Sequence, residues 1–207
     1  WEGVLCVDTA HIAVHETGAI EATGHKVLAL PGRDGKISAS QVEAAYNAHH
    51  QDTTHEHIVK PAIVYISHPT EMGTLYTREE LGALSEFCKA HDLLLFLDGA
   101  RLGYGLAADP RVDLPFLARC CDAFTIGGTK AGLLFGEAIV LTNPKLAPCF
   151  RYTIKQRGGM LAKGWLLGAQ FGALFTDNLF FTIARHANEL AARLQTGLKA
   201  LGWSFLA

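Results

Sequence analysis

Apolar residues in this chain gather in short unbroken runs more than in alternating ones. Residues 27–30, 62–67, 93–97, 123–126 and 138–142 each form such a run, the pattern of strands covered on both faces of an α/β sheet, and parallel pairing is expected. Residues 2–7 read as a further strand. Between the runs lie stretches with helical spacing. Ser38 or Ser40 can cap residues 41–46, and Thr77 forms a capping box with Glu80 ahead of Leu81, Leu84, Phe87 and Cys88, which recur at helical spacing. Past Pro144 the pattern turns helical: residues 163–174 place Gly and Ala at close-packing positions, and residues 178–201 repeat Leu190, Leu194 and Leu198 at four-residue steps. A strand is expected at 203–206, and the polar stretch 49–56 reads as a loop. The predicted fold class is α/β with a mainly parallel sheet. Residues 1–150 form a large domain, and residues 151–207 form connecting helices and the start of a small C-terminal domain. The chain opens on Trp1 with a strand already under way, so it is expected to be an excerpt whose large domain is incomplete at its N-terminus.

Composition supports a packed core. The 207 residues are 49% hydrophobic and 18% charged, and 18 Lys and Arg nearly balance 20 Asp and Glu for a formal net charge of −2. Neither sign forms long blocks, which removes the electrostatic footprint of a nucleic-acid or anionic-membrane partner and favours small-molecule chemistry. The apolar stretch 165–181 is interrupted by Gln170, Asp177 and Asn178, so no membrane span is expected. Five cysteines without metal-ligand spacing point to reduced, mostly buried thiols and a cytoplasmic location.

Two strand ends carry candidate chemistry. Asp98 closes an apolar run and needs a cation or several donors; either Arg101 pairs with it, or Asp98 faces a protonated ring nitrogen of a ligand while Arg101 grips a ligand carboxylate. Lys130 stands among small and apolar neighbours in Gly127-Gly128-Thr129-Lys130-Ala131-Gly132. Poor solvation there disfavours the charged amine and makes it a nucleophile for Schiff-base chemistry, the alternative being a lysine that snorkels out of a turn. Lys130 follows Asp98 after about one helix and one strand, so neighbouring strand ends would present an acid and an amine to one pocket at the edge where such folds bind ligands. An amine that holds an aldehyde and an acid that keeps a pyridine nitrogen protonated are the working parts of a pyridoxal-phosphate site.

Three rivals are weaker. Gly103-Tyr104-Gly105-Leu106-Ala107-Ala108 fits a nicotinamide fingerprint, but its first glycine does not directly follow a strand and the acid expected downstream is absent. His49, His50, His55 and His57 lie close in sequence without a metal-binding spacing, so no metal site is expected. A non-catalytic sheet domain serving as an oligomerisation module would not need both Lys130 and Asp98.

On His11-Ile12 with Glu16-Thr17-Gly18-Ala19, on Asp98-Gly99-Ala100-Arg101, on Gly127 to Gly132 with Phe135-Gly136, and on Gly158-Gly159-Met160, the chain resembles the threonine aldolases. These belong to the β-eliminating lyase group of the aspartate-aminotransferase-like (fold type I) pyridoxal-phosphate enzymes. The resemblance covers most of the chain, from His11 to at least Gly172. It implies a pyridoxal 5′-phosphate enzyme that cleaves threonine or allo-threonine to glycine and acetaldehyde, with β-elimination or transamination as the alternatives on this fold. It further implies that Lys130 forms the imine with the cofactor, Asp98 pairs with the pyridine nitrogen, His11 stacks on the ring and Arg101 binds the substrate carboxylate. His68 would correspond to a family histidine near the β-hydroxyl, unless it is a loop imidazole without a task. Glu16 matches an acid beside His11, catalytic or structural. The family's Arg after the Met is Leu161 here, leaving Lys163 or Arg157 to contact the phosphate, and the family's phosphate-cradling loop would lie upstream of Trp1. A homo-oligomer, tetramer or dimer, is also implied.

Overall fold

The computed structural model describes residues 1–205. In chain order the main elements are β1 (Glu2–Val7), α1 (His11–Val14), β2 (Lys26–Leu30), α2 (Ala39–Gln51), β3 (Lys60–Ser67), α3 (Arg78–Ala90), β4 (Leu94–Asp98), α4 (Leu102–Ala108), α5 (Leu114–Cys120), β5 (Ala123–Gly127), β6 (Glu137–Leu141), α6 (Phe150–Gln156), α7 (Trp165–Phe175) and α8 (Leu179–Ala200). The strands form one sheet in the order β2-β1-β3-β4-β5-β6. The first five run parallel to one another. The expectation of parallel pairing fails at β6, which runs antiparallel to β5. Residues 128–136, which join the two strands, are too few for a crossover of about a dozen residues or more, so the chain can only turn back.

The predicted capping box forms, and the predicted serine cap is a second one. Ser38, rather than Ser40, accepts from the Gln41 N–H to open α2, and Thr77 accepts from the Glu80 N–H to open α3. α3 buries Leu81, Leu84, Ser85 and Cys88 against the sheet, where Leu5, Val64, Ile66, Leu95, Leu97 and Phe124 supply the other side of the core. Each large apolar side chain among them contributes about 1.5–3 kcal/mol by leaving water. Cys6, Cys88, Cys120 and Cys121 are buried as expected, while Cys149 is exposed. Burial pushes the Cys6 and Cys88 thiols up to about 12.

The structure corrects several local expectations. Residues 49–51 complete α2 and His49 is buried, because helical backbone continues until Asp52; only the remainder of that polar stretch leaves the helix. The sequence pattern does not foretell α4, α5 and α6. Each is only seven residues long, and α5 starts on Asp113, whose side chain accepts from the Phe116 N–H. Residues 203–205 are not strand, and Leu206, the end of the strand expected there, lies outside the described residues. Trp165–Ala200 is long and apolar enough, by length and composition, to cross a bilayer. It is broken at Asp177 and Asn178, both at positive φ, and α8 buries Phe180 and Ala184.

Candidate active site

The site lies at the carboxyl ends of β3, β4 and β5, beside the point where the sheet order reverses between β1 and β3, where open α/β sheets bind ligands. Ser67 of β3 pairs with Asp98 of β4, and Leu97 with Phe124 of β5. Beyond these pairs the tails of β4 and β5 pass each other closely. A Cβ on Gly99 would stand 1.9 Å from the Thr125 carbonyl oxygen, and one on Gly127 2.3 Å from the Ala100 carbonyl oxygen. In return the Gly127 N–H donates to the Gly99 carbonyl at 2.9 Å, and the Gly99 N–H donates to the Thr125 hydroxyl at 2.9 Å. This crossing carries Asp98 and Lys130 into one cavity of about 190 Å³, which His11, Glu16, Glu71, Arg101 and Glu137 also line.

Asp98 is partly buried. Its Oδ2 accepts from the Tyr65 hydroxyl at 2.5 Å and its Oδ1 from the Ala100 N–H at 2.8 Å. Burial, and then the Asp98 charge, push the Tyr65 phenol upward, so it is the donor of that pair. Among the described residues no ion pair joins Asp98 to Arg101. Arg101, at the start of α4, is exposed and leaves its guanidinium for a ligand. Lys130 sits on the 3-10 turn Thr129–Ala131 just past β5 and is exposed. The poor solvation expected from its small neighbours is therefore not provided by this chain's own fold, because those neighbours are too short to cover the side chain.

His11 opens α1 just beyond β1. Its Nδ1 lies 2.5 Å from Glu16 Oε1, so Glu16 holds the ring, which gives that acid a structural part. The His11 backbone N–H donates to Glu71 Oε1 at 3.0 Å, and the Ser67 hydroxyl donates to the same oxygen at 2.6 Å. Glu71 Oε2 is buried and has no partner. Glu137, the first residue of β6, is exposed as a residue and lines the cavity. Partial desolvation there, reinforced by the Asp98 charge, pushes its carboxyl above the usual range, while Thr125 and Lys130 pull it down.

Two of the expected site residues are not brought to this cavity. His68 is fully buried, and its ring packs beneath α4, where a Cβ on Gly105 would come within 3.1 Å of it. Neither ring nitrogen has a partner, and burial, opposed by Asp109, pushes the imidazole down to about 4. Its backbone N–H donates to the Asp98 carbonyl at 3.0 Å, so in this chain it supports the strand end without facing the cavity. Lys163 is exposed on the connection from α6 to α7 and does not line the cavity, and neither does Arg157 at the end of α6. The glycines of the fingerprint-like segment lie inside α4, where Gly103 meets Phe180 of α8 and Gly105 meets His68; they are packing positions, not a phosphate turn.

Tyr65, Glu71 and Glu137 are site residues that sequence reasoning misses. Tyr65 carries a faint signal, since the period of two along β3 puts it on the face of Ser67, the register partner of Asp98.

The residues fit a pyridoxal group. An amine, a carboxylate steadied by a hydroxyl and an N–H, and an imidazole clamped by an acid converge on one cavity, and Glu71, which also lines it, keeps one oxygen, the buried Oε2, without a donor. The fold is that of the fold type I pyridoxal-phosphate enzymes, and the cavity has the parts such a site uses. More narrowly, residues 1–206 match the model of the beta-eliminating lyases, and the chain belongs to that family. It is 36% identical over 202 residues to the low specificity L-threonine aldolase of a Pseudomonas species, covering 95% of this chain and 56% of that protein. To the Pseudomonas aeruginosa protein of the same name it is 35% identical over 199 residues, covering 94% and 56%. A solved structure of Leishmania major threonine aldolase superposes with a TM-score of 0.91 at 51% identity, covering 98% of this chain and 58% of that one. The chain thus spans a little over half the length of the relatives it matches.

Proposed function

We propose that this chain carries the catalytic cavity of a pyridoxal-phosphate-dependent aldehyde-lyase that cleaves the Cα–Cβ bond of threonine or allo-threonine, giving glycine and acetaldehyde. The observation that carries this reading is the delivery of Asp98 and Lys130, from neighbouring strand ends, to one cavity with Arg101 at its edge. The likeness to named threonine aldolases supports it. When bound, the cofactor supplies an electron-accepting ring conjugated to the substrate's Cα. Lys130 offers the amine that holds the cofactor's aldehyde carbon, and Asp98 keeps a proton on the ring nitrogen. His11, clamped by Glu16, covers the ring face. Arg101 binds the substrate carboxylate through its planar fork, which helps select the bond that stands ready to break.

A homo-oligomer in a reducing, cytoplasmic compartment belongs to the same proposal. Exposed apolar side chains such as Trp165, Phe175 and Leu179 support the first part, and the buried thiols support the second.

Product analysis tests the reaction. The full-length protein, given threonine, is expected to release acetaldehyde and glycine, and keto acid with ammonia as main products would move it to the eliminating lyases. Lys130→Ala is expected to remove the borohydride-reducible attachment of the cofactor and cut turnover by at least about 1,000-fold, or about 4 kcal/mol.

A further inference from the structure

We propose that Glu71 is the base that takes the proton of the substrate's β-hydroxyl, through its Oε2; this rests on the aldol-cleavage reading above. Cleavage requires a proton acceptor at the hydroxyl, and His68 is sealed beneath α4 away from the cavity. Glu71 lines the cavity beside Asp98, Lys130 and Arg101. One of its oxygens is fixed by two donors, the His11 N–H at the start of α1 and the Ser67 hydroxyl at the end of β3. That anchoring sets the position of the other oxygen, which is buried and unpaired. A buried acceptor without a donor is costly, and a native site that keeps one is arranged for a donor to arrive. His11 is a poorer candidate, because its Nδ1 is committed to Glu16 and its ring face to the cofactor.

In the step itself the substrate O–H bond breaks, its proton passes to Glu71 Oε2 and the oxygen becomes the carbonyl of acetaldehyde. The Cα–Cβ bond breaks with its electron pair left on the Cα side. Glycine gains one proton at Cα from solvent, and Glu71 returns the proton it took to solvent as acetaldehyde leaves, so the reaction balances and the carboxylate is regenerated without a co-reactant.

Glycine has no β-hydroxyl and provides the control. In the full-length holoenzyme, Glu71→Gln keeps an acceptor for His11 and Ser67 but removes the base. It is expected to lower kcat for threonine by about 100- to 10,000-fold, the usual contribution of a positioned base. The glycine dissociation constant, read by absorbance titration, and glycine α-hydrogen exchange in heavy water should stay within about threefold of wild type. Glu71→Asp, which keeps the charge but withdraws the oxygen, should fall between the two and serves if the first variant is unstable. Cleavage within about threefold of wild type in the Gln variant overturns the proposal, as does parallel loss of cleavage, glycine binding and exchange, which would make Glu71 a general support of the site. A wild-type enzyme that binds glycine and exchanges its α-hydrogen but releases no acetaldehyde from threonine overturns the aldol reading, and the role of Glu71 with it.

Discussion

A histidine with both ring nitrogens sealed in the interior binds a proton far less readily in the folded chain than in the unfolded one. For His68 this gives a signed pH dependence: the unfolded chain takes up the proton near pH 6.5, the folded one only at about 4. Stability from this residue is complete above about pH 6.5 and falls as pH drops toward 4, by about 1.4 kcal/mol per pH unit and roughly 3 kcal/mol in all. Urea midpoints at about pH 7 and about pH 4.5, a window set by the two protonation limits, should differ much less in His68→Leu than in wild type. Equal differences would show that the imidazole is not the group responsible. At this scale the sequence is legible where a residue breaks with its own surroundings. Lys130 is the cation among glycines and Asp98 the acid closing an apolar run, and both reach the cavity. Tyr65, Glu71 and Glu137 stay hidden because their roles arise between segments. Tyr65 looks like one more ring in an apolar strand until the Ser67–Asp98 register sets it beside a carboxylate.

Among elements, the crossing of the β4 and β5 tails sets the position of the site more firmly than any single side chain. Gly127→Ala would push a methyl into the Ala100 backbone, where no side chain can swing aside. A loss of about 3 kcal/mol is expected, at the upper end for overpacking, together with weaker cofactor binding, measured by denaturant unfolding and cofactor titration. Gly82→Ala in α3 is the contrasting case. Nothing lies within 4 Å of its added Cβ, and a gain of up to about 1 kcal/mol is expected from helix propensity alone. Strands and capped helices are readable because apolar runs and capping boxes are local patterns. The direction of β6 and the short helices α4 and α5 are not, since they depend on connection length and on what packs against them. α4 in particular tolerates its glycines because Phe180 and His68 press against them.

For the molecule as a whole, the cysteines give a direct check on packing. Cys149 alone should react with a neutral thiol reagent in the folded protein, and all five after denaturation; fast labelling of two or more in native conditions would contradict the buried placement of Cys6, Cys88, Cys120 and Cys121. The single strand that runs against the others also sets where the chain can change length. In the parallel part of the sheet the cavity residues stand just past a strand end, as Ser67 and Glu71 do at β3 and Asp98 and Arg101 at β4, and the main helices of the return path come after them, so a change in the length of that helical path leaves them in place. Between Gly127 and Glu137 a single short hairpin delivers two, Lys130 and Glu137, within reach of each other's charge. Length variation is therefore unevenly permitted around this sheet: the helical returns can absorb inserted residues far from the chemistry, whereas one residue gained or lost in the hairpin shifts the amine and the neighbouring acid together.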